Sequence, residues 1–323
     1  MTKLAFERVL VTGSSGFVGA CIARELLRRG HQVHVILRSP ALSWRLQGIS
    51  GGLHVHQGDL TDAERVAAIV KHASPEAVVH LATHGAYEDQ SAARSIFQTN
   101  LVGTYNLLEA AQSARVRAFV NTGSSSEYGF RADPMRETDR VEPNSFYAVS
   151  KAAQTHLAAL VAARGEMGVC TFRLFSIYGP WEEPKRLIPT IIRRAWAGQP
   201  LEMVSPATAR DFVHVGDLLE PMLDFHRIAG LQGDVVNLGT GIQTTLGEVI
   251  ETLRSVCPRA IDVRWGAMSA RHWDSDKWVS DPSRAKSIFK WTARHSLRDG
   301  LARTAEWIQE YGGRYAGELQ RSA

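Results

Sequence analysis

With three cysteines, Cys21, Cys170 and Cys257, odd in number and far apart, the chain has neither a disulfide framework nor the ligand spacing of a zinc site. Long apolar runs are missing as well. A stretch such as 157–163 falls far short of the roughly 20 residues that a membrane-spanning helix needs. Residues 1–7 hold no apolar core of a secretory signal, so the expectation is a cytoplasmic protein with no membrane partner and no bound metal. Charge of one sign is nowhere concentrated: 37 basic and 33 acidic residues leave a net charge of +4 without a run of like sign. That speaks against nucleic acid and suits an anionic small substrate. Repeats and low-complexity tracts are also lacking. What is there is ordinary globular composition, 44% hydrophobic and 22% charged, long enough for one large or two modest domains.

Up to about residue 180, short β-branched runs alternate with longer helical patterns, the mark of βαβ units and hence of a parallel sheet covered by helices. Strands are expected at 8–11, 32–37, 53–57, 77–81, 118–122 and 169–174, and helices at 16–29, 63–72, 96–114 and 145–163. The fold class is α/β, a Rossmann-type doubly wound parallel sheet over residues 1–180. Beyond Gly179-Pro180 the rhythm changes to a helix at 187–197, a strand at 211–215, a helix from Asp217, a strand at 235–238 and a helix from Thr244. Thr245 and Glu248 make a capping box, and Asp281-Pro282 opens a helix that ends near Phe289. These short, interleaved pieces read as a smaller C-terminal substrate-binding lobe, 181–323, some of whose segments return to the first domain. The tail after Tyr311 reads as loosely held.

Val9-Leu10-Val11-Thr12-Gly13-Ser14-Ser15-Gly16-Phe17-Val18-Gly19 is a strand running through a glycine turn into a helix. Small residues there let the backbone approach a pyrophosphate, whose charge meets the amides of a helix N-terminus. Gly13, Ser15, Gly16, Phe17, Val18 and Gly19 are therefore the expected dinucleotide cradle. At the end of the second strand, Val35-Ile36-Leu37-Arg38-Ser39 offers no carboxylate for the ribose hydroxyls of NAD, while Arg38 suits a 2′-phosphate. NADP(H) is the expected cofactor, with NAD(H) as the alternative.

Tyr147 and Lys151 stand four apart at the start of a helix, so both emerge on one face. An ammonium beside a phenol favours the phenolate and lowers a pKa that begins at about 10. With seven tyrosines in 323 residues the spacing alone is unspecific. Ser124, in Asn121-Thr122-Gly123-Ser124-Ser125-Ser126-Glu127-Tyr128-Gly129, sharpens it, because a hydroxyl just beyond the fifth strand faces the crevice where open α/β sheets bind ligands.

On these motifs the chain resembles the extended short-chain dehydrogenases/reductases, the group of nucleotide-sugar 4-epimerases, 4,6-dehydratases and 4-keto-sugar reductases. The match runs through Gly13, Gly16 and Gly19, through Gly58-Asp59-Leu60 and His80-Leu81-Ala82, and through Asn100 in Thr99-Asn100-Leu101-Val102-Gly103-Thr104. The resemblance implies that Ser124, Tyr147 and Lys151 are catalytic, with Asn100 supporting them. It places Asp59, Leu60, Leu81, Ala82, Thr83, Thr122 and Leu174 along the cofactor, and Ser124, Ser125, Ser126 and Ser176 at the substrate. In Ala209-Arg210-Asp211-Phe212-Val213-His214-Val215 and Arg271-His272-Trp273-Asp274 it implies that Arg210 and Arg271 bind a diphosphate and that Asp274 lies near the ribose. Homodimers formed through two long helices, here 96–114 and 145–163, are usual in the family.

Three positions depart from the family pattern. Ser176 replaces the usual asparagine of the phosphate contact, Leu37 replaces the acid of NAD-using epimerases, and Ser125 and Ser126 stand where dehydratases carry an acidic pair. The wording around Ser124 and Tyr147 is most similar to 4-keto-6-deoxy-hexose reductases. The leading expectation is thus NADPH-dependent reduction of a 4-keto nucleotide sugar with Tyr147 as proton donor. A 4-epimerase is the runner-up. A cofactor-sensing binding protein is the reading from another class, opposed by the intact Ser124, Tyr147 and Lys151.

Overall fold

The computed structural model describes residues 5–39, 43–86, 90, 92–269 and 275–321. The first apolar run, Arg8–Thr12, is β1, and the glycine turn leads into α1, Phe17–Arg28. Next come β2 (Gln32–Leu37), β3 (Leu53–Gln57), α2 (Ala63–Ala73) and β4 (Ala77–His80). Asp62 caps α2 by accepting the Arg65 N–H at 3.0 Å, which satisfies one of the orphan donors of a helix start. The expected helix 96–114 is broken into α3 (Ala93–Phe97), a π-helical turn (Gln98–Val102) and α4 (Gly103–Ser113). β5 (Ala118–Ser124) ends in a 3₁₀ turn, Ser125–Tyr128, and is followed by α5 (Phe146–Ala163) and β6 (Gly168–Leu174).

In chain order there follow β7 (Ser176–Tyr178), α6 (Leu187–Trp196), β8 (Leu201–Met203), β9 (Ala209–Arg210), β10 (Phe212–His214), α7 (Val215–Met222), α8 (Phe225–Ile228) and β11 (Gln232–Leu238). The chain then forms β12 (Thr244–Thr245), α9 (Leu246–Arg254), β13 (Val263–Trp265), α10 (Ser283–Phe289) and α11 (Leu297–Arg321). Residues after Tyr311, expected to be loosely held, continue α11.

The main sheet runs β11-β6-β5-β4-β1-β2-β3. β1 to β6 pair in parallel. The chain winds outward from β1 to β3, returns, and winds the other way from β4, so the direction reverses between β1 and β4. This doubly wound order confirms the expected fold class. Leu10, Ile36, Val78, Phe119 and Val169 from the strands are buried with Ile69 and Val70 of α2, Leu107 and Leu108 of α4 and Ala158 of α5. Enclosing one such Leu, Ile, Val or Phe side chain stabilises the fold by about 1.5–3 kcal/mol. The apolar runs read from the sequence are therefore the core of the sheet.

Two compact units emerge. One comprises 1–129, 137–174 and 219–236, the other 130–136, 175–218 and 237–323. In the second, β7 pairs with β10, β9 with β12 and β8 with β13. Thr245 caps α9 in the expected box, its hydroxyl oxygen accepting the Glu248 N–H at 3.1 Å. Cys21 and Cys170 are buried and Cys257 is half-buried, and the three form no disulfide. No described helix is long and apolar enough to cross a membrane, and no described cluster of His, Cys, Asp or Glu has metal-binding geometry.

Candidate active site

Where the sheet changes direction, the ends of β1 and β4 lie side by side. Leu81 N–H donates to Thr12 O at 3.2 Å. Gly13 takes φ +69°, open to glycine and strained for other residues, and a Cβ there would sit 2.5 Å from Ala82 N. A Cβ on Gly19 would sit 2.2 Å from Gly13 O. α1 therefore starts hard against the turn, with Gly16 as an N-cap that makes no side-chain hydrogen bond. Its first amides are left for an anion. This bare, glycine-lined helix start fits the pyrophosphate of a dinucleotide.

Arg45 joins the same loop, and the sequence reading missed it. It is buried, its Nη1 lies 3.4 Å from Ser15 O, and its own carbonyl accepts from Arg24 at 2.6 Å. No periodic pattern marks residues 38–46, so only the fold reveals it. Arg38 is exposed at the end of β2, and its charge helps to hold Asp59 below the usual carboxylate range. The Thr61 amide, 2.9 Å from the carboxylate, contributes most to that shift.

α5 begins at a Ser145 cap, which accepts the Ala148 N–H at 3.1 Å, and packs on β5 and the turn that follows it. Tyr147 is half-buried, and Lys151, one turn on, is buried. Lys151 Nζ donates to Thr122 O at 2.5 Å and to Gln154 Oε1 at 2.9 Å. Gln154 in turn donates to Asn121 Oδ1 at 2.8 Å. Burial pulls the lysine down to about 8, and the Glu127 carboxylate opposes that shift. The ammonium is thereby held beside the end of β5, two residues before Ser124. Ser124 Oγ lies 2.7 Å from Ser126 Oγ and accepts the Ser126 N–H at 3.2 Å. Ser125 is buried, and Leu174 of β6 stands opposite Ser124 in the sheet.

Asn100 lies in the π-helical turn and is fully buried. Its Nδ2 donates to Ser150 Oγ at 2.9 Å and to His84 O at 2.8 Å. Its Oδ1 accepts from His84 N–H at 2.7 Å and from the Thr83 hydroxyl at 3.3 Å. Ser150 completes the link by donating to Tyr147 O at 2.7 Å. An ordinary helical turn would aim this amide elsewhere, a reason π-turns recur at functional places. Below it, His80 Nε2 and Thr104 Oγ1 are 2.8 Å apart. Because Thr104 donates its own proton to Asn100 O, His80 is the donor in that pair. Its Nδ1 then accepts from Thr12 Oγ1 at 2.6 Å. Burial, with the Lys151 charge, pulls the imidazolium down to about 3, so the ring is a neutral brace.

In the second unit, Arg210 is half-buried, donates to Ala209 O at 2.7 Å and lies 5.6 Å over the Trp278 ring. Its neighbour Asp211 is fully buried. Its carboxylate accepts from the N–H and Oγ1–H of Thr240, the N–H of Gly241, and the N–H and Oγ–H of Ser280, at 2.6–3.1 Å. Asp211 is thus a structural hub that the sequence reading did not single out. Ser176 N–H donates to Asp211 O at 3.0 Å. Arg271 and Asp274 lie outside the described residues.

Residues 9–239 match the NAD dependent epimerase/dehydratase family. A probable UDP-glucuronate 4-epimerase of Rhizobium meliloti is 26% identical, over 94% of this chain and 97% of that one. A dTDP-glucose 4,6-dehydratase of Streptomyces niveus is 29% identical, over 94% and 93%. Among solved structures, MoeE5 in complex with UDP-glucuronic acid and NAD superposes with a TM-score of 0.82 at 32% identity, covering 94% of this chain and 99% of that one.

Proposed function

The chain belongs to the NAD dependent epimerase/dehydratase family, and on that premise we propose that it inverts C4 of a UDP-linked sugar with a nicotinamide dinucleotide held at the glycine turn. One observation carries the reading: buried Lys151 follows Tyr147 by one turn of α5 and is tied to Thr122, at the strand end that presents Ser124. The bound dinucleotide supplies the acceptor and donor of the C4 hydride. Tyr147 removes the proton from the C4 hydroxyl and returns it, Lys151 favours the phenolate, and Ser124 holds the sugar oxygen. Asn100 keeps the helices of this centre in place through Ser150 and His84. Arg210 and Arg271, with Ser176 and Asp274, are assigned to the substrate's diphosphate and ribose.

Epimerisation is supported by the probable UDP-glucuronate 4-epimerase, and a UDP-sugar by that relative and by MoeE5 in complex with UDP-glucuronic acid. Reduction of a 4-keto sugar by NADPH is the second reading, favoured by Arg38 at the end of β2, where no acid is present. MoeE5, a solved structure similar to this chain, carries NAD, so NAD takes first place. Dehydration is not assigned. Ser125 and Ser126 carry no acid, and the nearby Glu127 is fully buried with both oxygens engaged. Incubation with UDP-glucose or UDP-glucuronic acid and NAD is expected to give the C4 epimer at unchanged mass. A 4-keto sugar converted to a product about two mass units heavier, with NADPH consumed, moves the assignment to reduction.

Exposed Val102, Tyr105, Phe146, Val149 and Leu160, on the π-turn, α4 and α5, are read as the pairing face of a homodimer.

Two expected results follow from charge. Lys151 must keep its proton to favour the phenolate, so turnover falls as pH rises through about 8, the value to which burial lowers it. A pH–rate profile checks this, and a plateau continuing to about pH 10, the ordinary lysine range, contradicts it. Arg210→Ala is expected to weaken UDP binding by about 2 kcal/mol, roughly thirtyfold, because a phosphate charge loses its partner. Dinucleotide affinity stays at the parent value. Calorimetry with UDP decides, and parental affinity removes Arg210 from the site.

A further inference from the structure

Glu127 takes no part in the proton transfer described above, yet its exposure is 0%. An enclosed carboxylate is costly unless charge and hydrogen bonds compensate for lost water. Its partners here come from the elements that carry the site. Oε1 accepts the Ser124 N–H at 2.8 Å. Oε2 accepts the Thr155 hydroxyl at 3.0 Å and Arg173 Nε at 2.9 Å. Thr155 follows Tyr147 and Lys151 at the same four-residue spacing, so the three share one face of α5. Arg173 stands opposite Gly123 in the sheet and lies 4.4 Å over the Tyr128 ring. Gly123 has no space for a side chain, since a Cβ would come within 2.6 Å of Glu127 Oε1.

Resting on the function proposed above, we propose that Glu127 is a positioning residue: its carboxylate ties the main chain at Ser124 to the face of α5 that carries Tyr147 and Lys151. Hydroxyl, phenol and ammonium then keep one mutual geometry. The bond to the Ser124 N–H closes the capping box of the 3₁₀ turn, but a cap alone would need no bond to Thr155 on α5. The charge has a second effect, on Lys151, whose ammonium is opposed by burial and favoured by Glu127. The groups facing Glu127 are Arg173 from β6 and Lys151 and Thr155 from α5, and the Tyr128 ring lies against the Arg173 guanidinium. Glu127 and neutral His80 of β4 lie within electrostatic reach of Lys151, and Tyr147 precedes it by one turn on its own helix. Removing the carboxylate charge therefore lets Lys151 lose its proton at lower pH, which a packing role does not do.

Glu127→Gln keeps the size of the side chain and an acceptor for the Ser124 amide. In the full-length protein, kcat is expected to fall about tenfold or more with KM within about threefold. The Lys151 titration, followed by NMR of the lysine ε-carbons and assigned with Lys151→Arg, is expected to move to lower pH by about half a unit or more. Thr155→Val leaves the Glu127–Arg173 pair in place and is expected to lower kcat about threefold, with faster hydrogen exchange at the Ser124 amide. Parental kcat and a parental Lys151 titration in Glu127→Gln overturn the proposal. If that variant does not fold, parental kcat and parental Ser124 exchange in Thr155→Val do so. A parent protein that turns over no UDP-sugar defeats the functional reading alone, and the Lys151 titration and Ser124 exchange still decide the role of Glu127.

Discussion

Tyr147→Phe is expected to bind UDP-sugar and dinucleotide as the parent does and to lose at least about a hundredfold in kcat, the lower end of what a positioned acid–base group contributes. The ring stays, so the packing of α5 is preserved, and only the hydroxyl that moves the proton is gone. Lys151 is no replacement, because Thr122 O and Gln154 Oε1 both accept from its Nζ and favour the charged form, which has no lone pair to take a proton. Ser124 is no substitute either, since a hydroxyl of high pKa beside another hydroxyl has no means of becoming a base. Ser124→Ala should lose less, for it removes a hydrogen bond and leaves the proton carrier. Steady-state kinetics with calorimetric binding checks both, and a Tyr147→Phe variant of parental kcat removes Tyr147 from the reaction.

The second large effect is expected at the glycine turn. In Gly19→Ala the new Cβ would meet Gly13 O at 2.2 Å, Gly13 C at 2.7 Å and Ser14 Cα at 2.9 Å. All three are main-chain atoms, so no rotamer change relieves the contact. Gly13 O cannot retreat freely, because it accepts the Gly16 N–H at 3.0 Å. The start of α1 must move away from the turn, and the amides that face the pyrophosphate move with it. Dinucleotide affinity is expected to fall at least about thirtyfold, about 2 kcal/mol, in line with overpacking at a tight site. Gly48→Ala is the control. Its Cβ would meet nothing nearer than Arg24 Nη2 at 3.7 Å, and affinity should stay at the parent value. Equal dinucleotide affinity in Gly19→Ala and the parent contradicts this account of the turn.

The inner strands of the sheet were legible because they are enclosed on both faces and read as continuous apolar runs, as in β1 and β4. The Tyr147 and Lys151 face of α5 was legible for an equally local reason, the four-residue spacing. What stayed hidden depends on groups far apart in the chain. The π-turn at Gln98–Val102 exists where Asn100 meets Ser150 and His84, and helical periodicity carries no sign of such partners. Asp211, beside Arg210 in sequence, bonds instead to Thr240, Gly241 and Ser280. β11, assigned by sequence to the C-terminal pieces, lies beside β6 at the end of the main sheet. Glu127 had one usable signal. An acid in the turn just after β5 and an arginine inside the apolar run of β6 are opposite charges at buried neighbouring positions, where each needs a partner.

The most direct test uses UDP-glucose or UDP-glucuronic acid carrying deuterium at C4, the enzyme and NAD. If Tyr147 and Lys151 serve a hydride transfer that leaves and returns at the same carbon, the C4 epimer forms with the deuterium retained at C4 and no net reduced dinucleotide. Loss of the deuterium to solvent, or unaltered substrate with both sugars, would contradict the central claim.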